Sequence, residues 1–140
     1  MAIKKKDLEI RTSTIPGAGN GLFTKVFIPK GTRIIEYTGK VTSWKDANHA
    51  DGKNAYIFFI NRNNVIDALR YKSSLARYAN DARGLTRVKG IKNNCEYIIE
   101  KKRVYIDALR DIPEGSEILV SYGQEYWDTI KALLRERKEN

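Results

Sequence analysis

The chain has 140 residues, is 41% hydrophobic and 10% aromatic, and carries a formal net charge of +9. That is enough apolar material for one self-standing core and too much for a disordered chain. One cysteine and one histidine exclude an intrachain disulfide and a Cys/His zinc site, and the longest apolar run, "AYIFFI", is far too short to cross a bilayer.

The opening "MAIKKKDLEIRTST" is charged and lacks the apolar stretch of a secretory leader. The chain therefore reads as soluble and intracellular, either cytoplasmic or nuclear/nucleoid-associated, with no membrane partner. From "LEIRT" onward, short strand candidates follow one another: "GLFTKVFI", "RIIEYT", "AYIFFIN", "NVIDAL", "CEYIIEKK", "VYIDAL" and "EILVSY". Turn signals separate them at "IPGAGN", "IPKG", "ADGKN", "NRNN" and "IPEG". One helix is expected in "SWKDANHA", with Ser43 as N-cap. A second is expected in "QEYWDTIKALLRERKEN", where apolar residues at 126, 127, 130, 133 and 134 share a face. "IDALR" occurs twice within dissimilar surroundings, so it marks two similar strand exits and no repeat architecture. These readings combine into one mainly β domain over 1–140, with a core of about 8–123 and a C-terminal helical segment, 124–140.

"GAGNGLF" (17–23) has the look of a phosphate-gripping loop, but Val, Ile, Phe and Thr follow it and no helix begins at Gly21. A dinucleotide site needs that helix, so the Rossmann reading fails on context. His49 sits in a turn-like stretch and Cys95 reads as buried filler, which leaves nucleophilic triads unsupported. No carboxylate cluster of metal-binding pattern exists, and no metal is expected. Chemistry, if present, falls to tyrosines, backbone and a cofactor. Residues 83–103 hold seven Lys or Arg against two Glu. Two readings of this patch stand: contact with an acidic partner such as nucleic acid, or a solvated face.

Four stretches occur in a fixed order: "GAGNGLF", "IIEYTG", "LARYANDARG" with "NNCEY", and "IPEGSEILVSYGQEYW". Together they resemble the SET domain of protein-lysine methyltransferases over nearly the whole chain. The resemblance implies small curved sheets, a C-terminal segment threaded as a pseudoknot, and S-adenosylmethionine gripped by the glycine turn. It implies that Ala18 and Asn20 contact the methionine part of that cofactor, with Gly19 and Gly21 allowing close approach. It matches Asn80 to a cofactor hydrogen bond, with Arg77, Tyr78 and Asp81 beside it and Tyr56 nearby. Asp81 departs from the family, which has histidine there. Tyr122 matches the catalytic tyrosine, and Tyr37 and Tyr97 match the walls of a lysine channel. Tyr126 and Trp127 take the place of a segment that covers adenine. The implied substrate is a lysine in a histone or another protein, and with Val120 two residues before Tyr122 and Tyr97 in the wall, the implied product is mainly monomethyl-lysine. Two other readings remain beside this one: a SET-like fold kept as a binding module, and a small basic nucleic-acid-binding β protein.

Overall fold

Short runs of alternating or wholly apolar residues, cut by glycine and proline turns, make many small strands instead of one large sheet. The computed structural model describes residues 2–50 and 54–139. Nine strands form among them: β1 (Leu8–Thr12), β2 (Asn20–Thr24), β3 (Arg33–Glu36), β4 (Lys40–Thr42), β5 (Ile57–Asn61), β6 (Asn64–Asp67), β7 (Cys95–Glu100), β8 (Arg103–Ala108) and β9 (Glu117–Ile118). A helix, α1 (Gln124–Glu139), ends the described chain. The strands sort into three antiparallel sheets, ordered β1-β2-β9, β3-β8-β7 and β4-β6-β5. The mainly β architecture expected from the sequence is the one observed.

Local chemistry explains the joints. The β7–β8 hairpin turns through Lys101 and Lys102, both in left-handed conformation (φ 48° and 66°), which suits the twist of the flanking strands. Gly31 in "IPKG" and Gly115 in "IPEG" supply the positive φ their turns require (84° and 83°). On the solvent side, the Arg33 guanidinium forks onto Asp107 and Glu100, tying β3 across β8 to β7. Beneath the sheets, Leu22, Ile28, Val104, Ile106, Ile112, Ile118 and Val120 are fully enclosed in one shared core.

The last strand does more than close a sheet. Beyond β9 the chain runs between two other segments: Val120 N–H donates to the Asn80 carbonyl at 2.9 Å, while the Asn94 and Cys95 N–H groups donate to the Leu119 carbonyl at 2.9 and 3.0 Å. The Asn94 side chain completes the clasp, donating to the Glu117 carbonyl and accepting from Leu119 N–H. This is the threading the resemblance implied, and it brings segments 79–81, 93–95 and 117–122 to one place.

Two expectations fail. Ser43 does cap a turn, its Oγ accepting from Asp46 N–H and its carbonyl from Ala47 N–H, but no α-helix continues over 43–50. The reason is competition: β4 holds the chain up to Thr42, and Asn48 spends its side chain on the Ala50 N–H. "EILVSY" is a strand only at Glu117–Ile118, because the residues after it exchange a ladder for the clasp just described. Most of the turn expected at "ADGKN", and the side chains at 133 and 134, lie outside the described residues. Among those described, no helix is long and apolar enough to cross a membrane.

Candidate active site

The glycine stretch 17–19 is the outer bend between β1 and β2. Gly17 and Gly19 adopt φ of 79° and 72°, conformations that side chains resist. The loop is anchored from below by Glu117, whose burial a sequence reading does not anticipate. Its carboxylate accepts from Ser13 Oγ (2.8 Å), Thr14 N–H (2.9 Å) and Thr14 Oγ1 (2.6 Å), with Asn80 Nδ2 at 3.4 Å. Four donors make a buried carboxylate tolerable where an unpaired one would be expelled. Gly21 belongs to this anchor: a Cβ there would stand 2.3 Å from Glu117 Oε2.

Above the anchor lies a cavity of about 470 Å³. Ala18, Gly19 and Asn20 form its floor with Ile15, Pro16 and Gly17, and Tyr56, Arg77, Tyr78, Asn80, Asp81, Tyr122, Tyr126 and Trp127 line the rest. Of the site residues read from the sequence, Gly21, Tyr37 and Tyr97 are not in this wall. Ala55 and the stretch Gly84–Thr86 are wall residues that sequence reasoning missed. Only their place after "ARYAND" marks the latter three.

Arg77 is fixed as a plate between aromatic rings, its guanidinium carbon 4.4 Å from the Tyr56 ring centre and 4.7 Å from that of Tyr78. It donates to the carbonyls of Ala68 and Leu69 and to Tyr78 Oη, leaving Nε enclosed without an acceptor among the described residues. Asn80 donates through Nδ2 to the Asn20 carbonyl at 3.0 Å, and its Oδ1 takes no donor from a described residue. Asn80 and Arg77 both line the cavity, so an acceptor with no described donor stands in its wall beside a guanidinium charge.

Tyr122 stands at the boundary between this cavity and an aromatic cluster. Its ring stacks on Trp127 (centroids 5.7 Å, 13°) and lies 6.4 Å from Tyr97 (26°). Tyr97 in turn meets Phe58 edge-on at 4.8 Å and Tyr37 at 6.4 Å. The Tyr122 hydroxyl donates to the Ala79 carbonyl and the Tyr37 hydroxyl to the Tyr56 carbonyl at 2.8 Å. The Tyr97 hydroxyl makes no hydrogen bond to a described residue. Burial raises the pKa of Tyr37, Tyr97 and Tyr122 well above the ordinary phenol value, so all three are neutral. Phe58 completes this wall; strand alternation in "AYIFFIN" leaves open which of its apolar residues does so.

Comparison with known proteins agrees with this geometry. Residues 19–123 match the model of the SET domain. The histone-lysine N-methyltransferase ASHH1 of Arabidopsis thaliana is 33% identical over 82% of this chain and 24% of its own length. The N-lysine methyltransferase KMT5A-A of Danio rerio is 26% identical over 84% of this chain and 36% of its own. The chain thus spans well under half the length of either relative. The methyltransferase domain of human PR domain-containing protein 2 shares the fold, with a TM-score of 0.62 and 20% identity over 86% of this chain and 79% of that one. With an anchored glycine bend flooring a cavity, a threaded C-terminal segment and a family model matching most of its length, the chain belongs to the SET-domain family, whose methyltransferases use S-adenosylmethionine.

Proposed function

We propose that this chain is an S-adenosylmethionine-dependent protein-lysine N-methyltransferase that transfers mainly one methyl group. The observation that carries the reading is the position of Tyr122, whose ring faces the 470 Å³ cavity on one side and the Tyr97–Phe58–Tyr37 cluster on the other. Cofactor and lysine then approach Tyr122 from opposite sides.

The residues present fit the cofactor. An amino-acid moiety brings one cationic and one anionic group; Asn80 Oδ1 is an acceptor for the first, and the Arg77 guanidinium in the same wall supplies positive charge for the second. Ala18 and Asn20 on the glycine bend, with Gly19 between them, supply backbone and side-chain contacts to the same moiety. Tyr56 and Tyr78 hold Arg77 in place, and Asp81, Tyr126, Trp127 and Gly84–Thr86 enclose the nucleoside end. When bound, the cofactor supplies a sulfonium methyl that an amine lone pair takes, the sulfur keeping the bonding electrons.

The rest is positioning and desolvation by this chain. A lysine amine titrates near pH ~10.4 in water and has to arrive unprotonated. Aromatic walls at Tyr37, Phe58 and Tyr97 remove its hydration and so favour the neutral form. The Tyr122 hydroxyl donates its hydrogen bond to the Ala79 carbonyl, so its oxygen is left to accept an amine N–H and aim the lone pair. A phenol whose pKa is pushed up this far is no base; it orients.

The substrate is a lysine in a protein segment, with histones the targets named for several relatives. A site of action inside the cell, nuclear or nucleoid-associated, accords with such targets. All seven cations of the 83–103 patch are exposed, so a nucleic-acid contact rests on charge alone. Calorimetric titration with S-adenosylmethionine, followed by labelled-methyl transfer to histones and lysate fractions, tests the reading. Absence of cofactor binding would end it.

A further inference from the structure

Asp81 stands next to Asn80 in the cavity wall, and its side chain is fully engaged. The carboxylate is buried (6% exposed) and accepts four N–H donors. Oδ1 takes the Arg83 backbone N–H and Asn93 Nδ2, both at 2.8 Å. Oδ2 takes the Tyr122 backbone N–H at 2.9 Å and the Trp127 indole N–H at 2.7 Å. One oxygen therefore holds the backbone of the tyrosine at the proposed transfer site and the first turn of α1 together.

We propose that Asp81 is a positioning residue that latches α1 to Tyr122, so that closure of the cavity by Trp127 and alignment of Tyr122 occur as one event. The inference rests on the methyltransferase reading for its consequence in catalysis, though not for the latch itself. Only a carboxylate can meet this donor set. An asparagine has one acceptor oxygen, and either orientation turns its NH2 toward two N–H donors. A neutral histidine offers one acceptor nitrogen for four donors.

The rest of the indole's surroundings agrees. One face of Trp127 lies on Tyr122, and its edge meets Tyr126 at 5.0 Å and 90°. The benzo side fills the space left by Gly84, where a Cβ would stand 2.4 Å from Trp127 Cζ2. Burial on its own would raise the Asp81 pKa; the hydrogen bonds from Trp127, Tyr122, Asn93 and Arg83 outweigh it and keep the group ionised.

The test uses Trp127→Phe, which keeps the stack and removes one donor, together with Asp81→Asn and the double variant. All are made in a Trp44→Phe background, so that fluorescence and the indole N–H resonance report Trp127 alone. In the cofactor-free protein, the Trp127 N–H should be protected from exchange and lose that protection in Asp81→Asn. With S-adenosylmethionine, Trp127→Phe should raise the cofactor KM about tenfold with a smaller change in kcat, while Asp81→Asn should change both. The double variant should lose less than the product of the single losses. An unprotected indole N–H in the parent, or strictly multiplicative losses, overturns the latch. A protected N–H with coupled unfolding free energies, but no cofactor binding by the parent, upholds the latch and rejects the methyltransferase reading instead. If Asp81→Asn does not fold, Trp127→Phe and the exchange measurement on the parent still decide.

Discussion

One carboxylate oxygen of Glu117 holds both the amide N–H and the hydroxyl of Thr14, at 2.9 and 2.6 Å, and so ties the last strand to the entrance of the glycine bend. The other oxygen takes Ser13. Replacing Glu117 by Ala takes the acceptor from the buried Ser13 hydroxyl and releases both Thr14 donors to solvent, at a cost of about 1–3 kcal/mol in unfolding free energy. Because the bend is the cavity floor, cofactor affinity should fall as well. Urea denaturation and calorimetric titration of the same variant check both effects, and a loss of stability with unchanged affinity would separate the anchor from the site.

Gly84 gives a second, sharper handle. An alanine there drives its Cβ against the Trp127 benzo ring, 2.4 Å from the nearest atom. The indole has to move, so Gly84→Ala should cost about 1–3 kcal/mol of stability and weaken cofactor binding. Trp127 emission, read in a Trp44→Phe background, should shift toward that of a solvated indole.

Tyr122→Phe should reduce methyl transfer by about two orders of magnitude or more while leaving cofactor affinity nearly unchanged. The hydroxyl serves the amine; the ring, with its stack on Trp127, is retained. Turnover in the parent should rise with pH through the titration of the bound amine. Equal losses of binding and turnover in the variant would assign Tyr122 a purely structural part.

Alkaline pH should unfold the protein through its tyrosines. The folded-state pKa values of Tyr37, Tyr97 and Tyr122 are raised, with burial the leading cause, while an unfolded tyrosine ionises near pH ~10. Above that pH the unfolded chain binds fewer protons than the native one, so stability falls as pH rises. It is fully present below about pH 10. Phenolate absorbance should therefore appear in two stages, the second coinciding with loss of structure. Cys95, fully enclosed and with its thiol pushed up to about 12, should resist thiol reagents until the same transition.

What was legible in the sequence and what was not divides along the range of the interactions. β1 and the β7–β8 hairpin declared themselves through apolar alternation and turn residues, which act within a few positions. The turn at Ser43 carried the right capping residue, yet the helix was cut off by neighbours that a local rule does not weigh. β4, three residues long, is a strand only because β6 lies beside it. The clasp of Leu119 and Val120 between Asn80 and Cys95 joins segments far apart in the chain, and no periodicity encodes that. Glu117 shows the same limit. In "IPEGSEIL" it looks like a turn-flanking charge, and only the folded chain reveals the donors waiting for it. Several aromatic positions stood out through their motifs, whereas Phe58 had none, and Gly84, though it ends "LARYANDARG", carried no hint of the indole that packs on it.

Tyr97→Phe should shift the product from monomethyl-lysine toward di- and trimethyl-lysine. Val120, two residues before Tyr122, is fully buried and bridged to Cys95, so it offers neither a hydroxyl nor room to swing toward the amine. The Tyr97 ring, by contrast, packs edge-on against Phe58 and lies 6.4 Å from that of Tyr122, while its hydroxyl is not committed to any described residue. That hydroxyl is placed to hold the amine directly or through one ordered water. A second transfer requires an already methylated nitrogen to turn its lone pair, which puts the first methyl where that partner sits. Displacing such a group with one that cannot repeat its hydrogen bonds is unfavourable. Phenylalanine removes the anchor at almost no change in volume, and the ring contacts survive, so the fold and the cofactor affinity should hold. Mass spectrometry of a methylated peptide reads the result. An unchanged product distribution in the variant, or abundant trimethyl-lysine from the parent protein, would show that Tyr97 only packs.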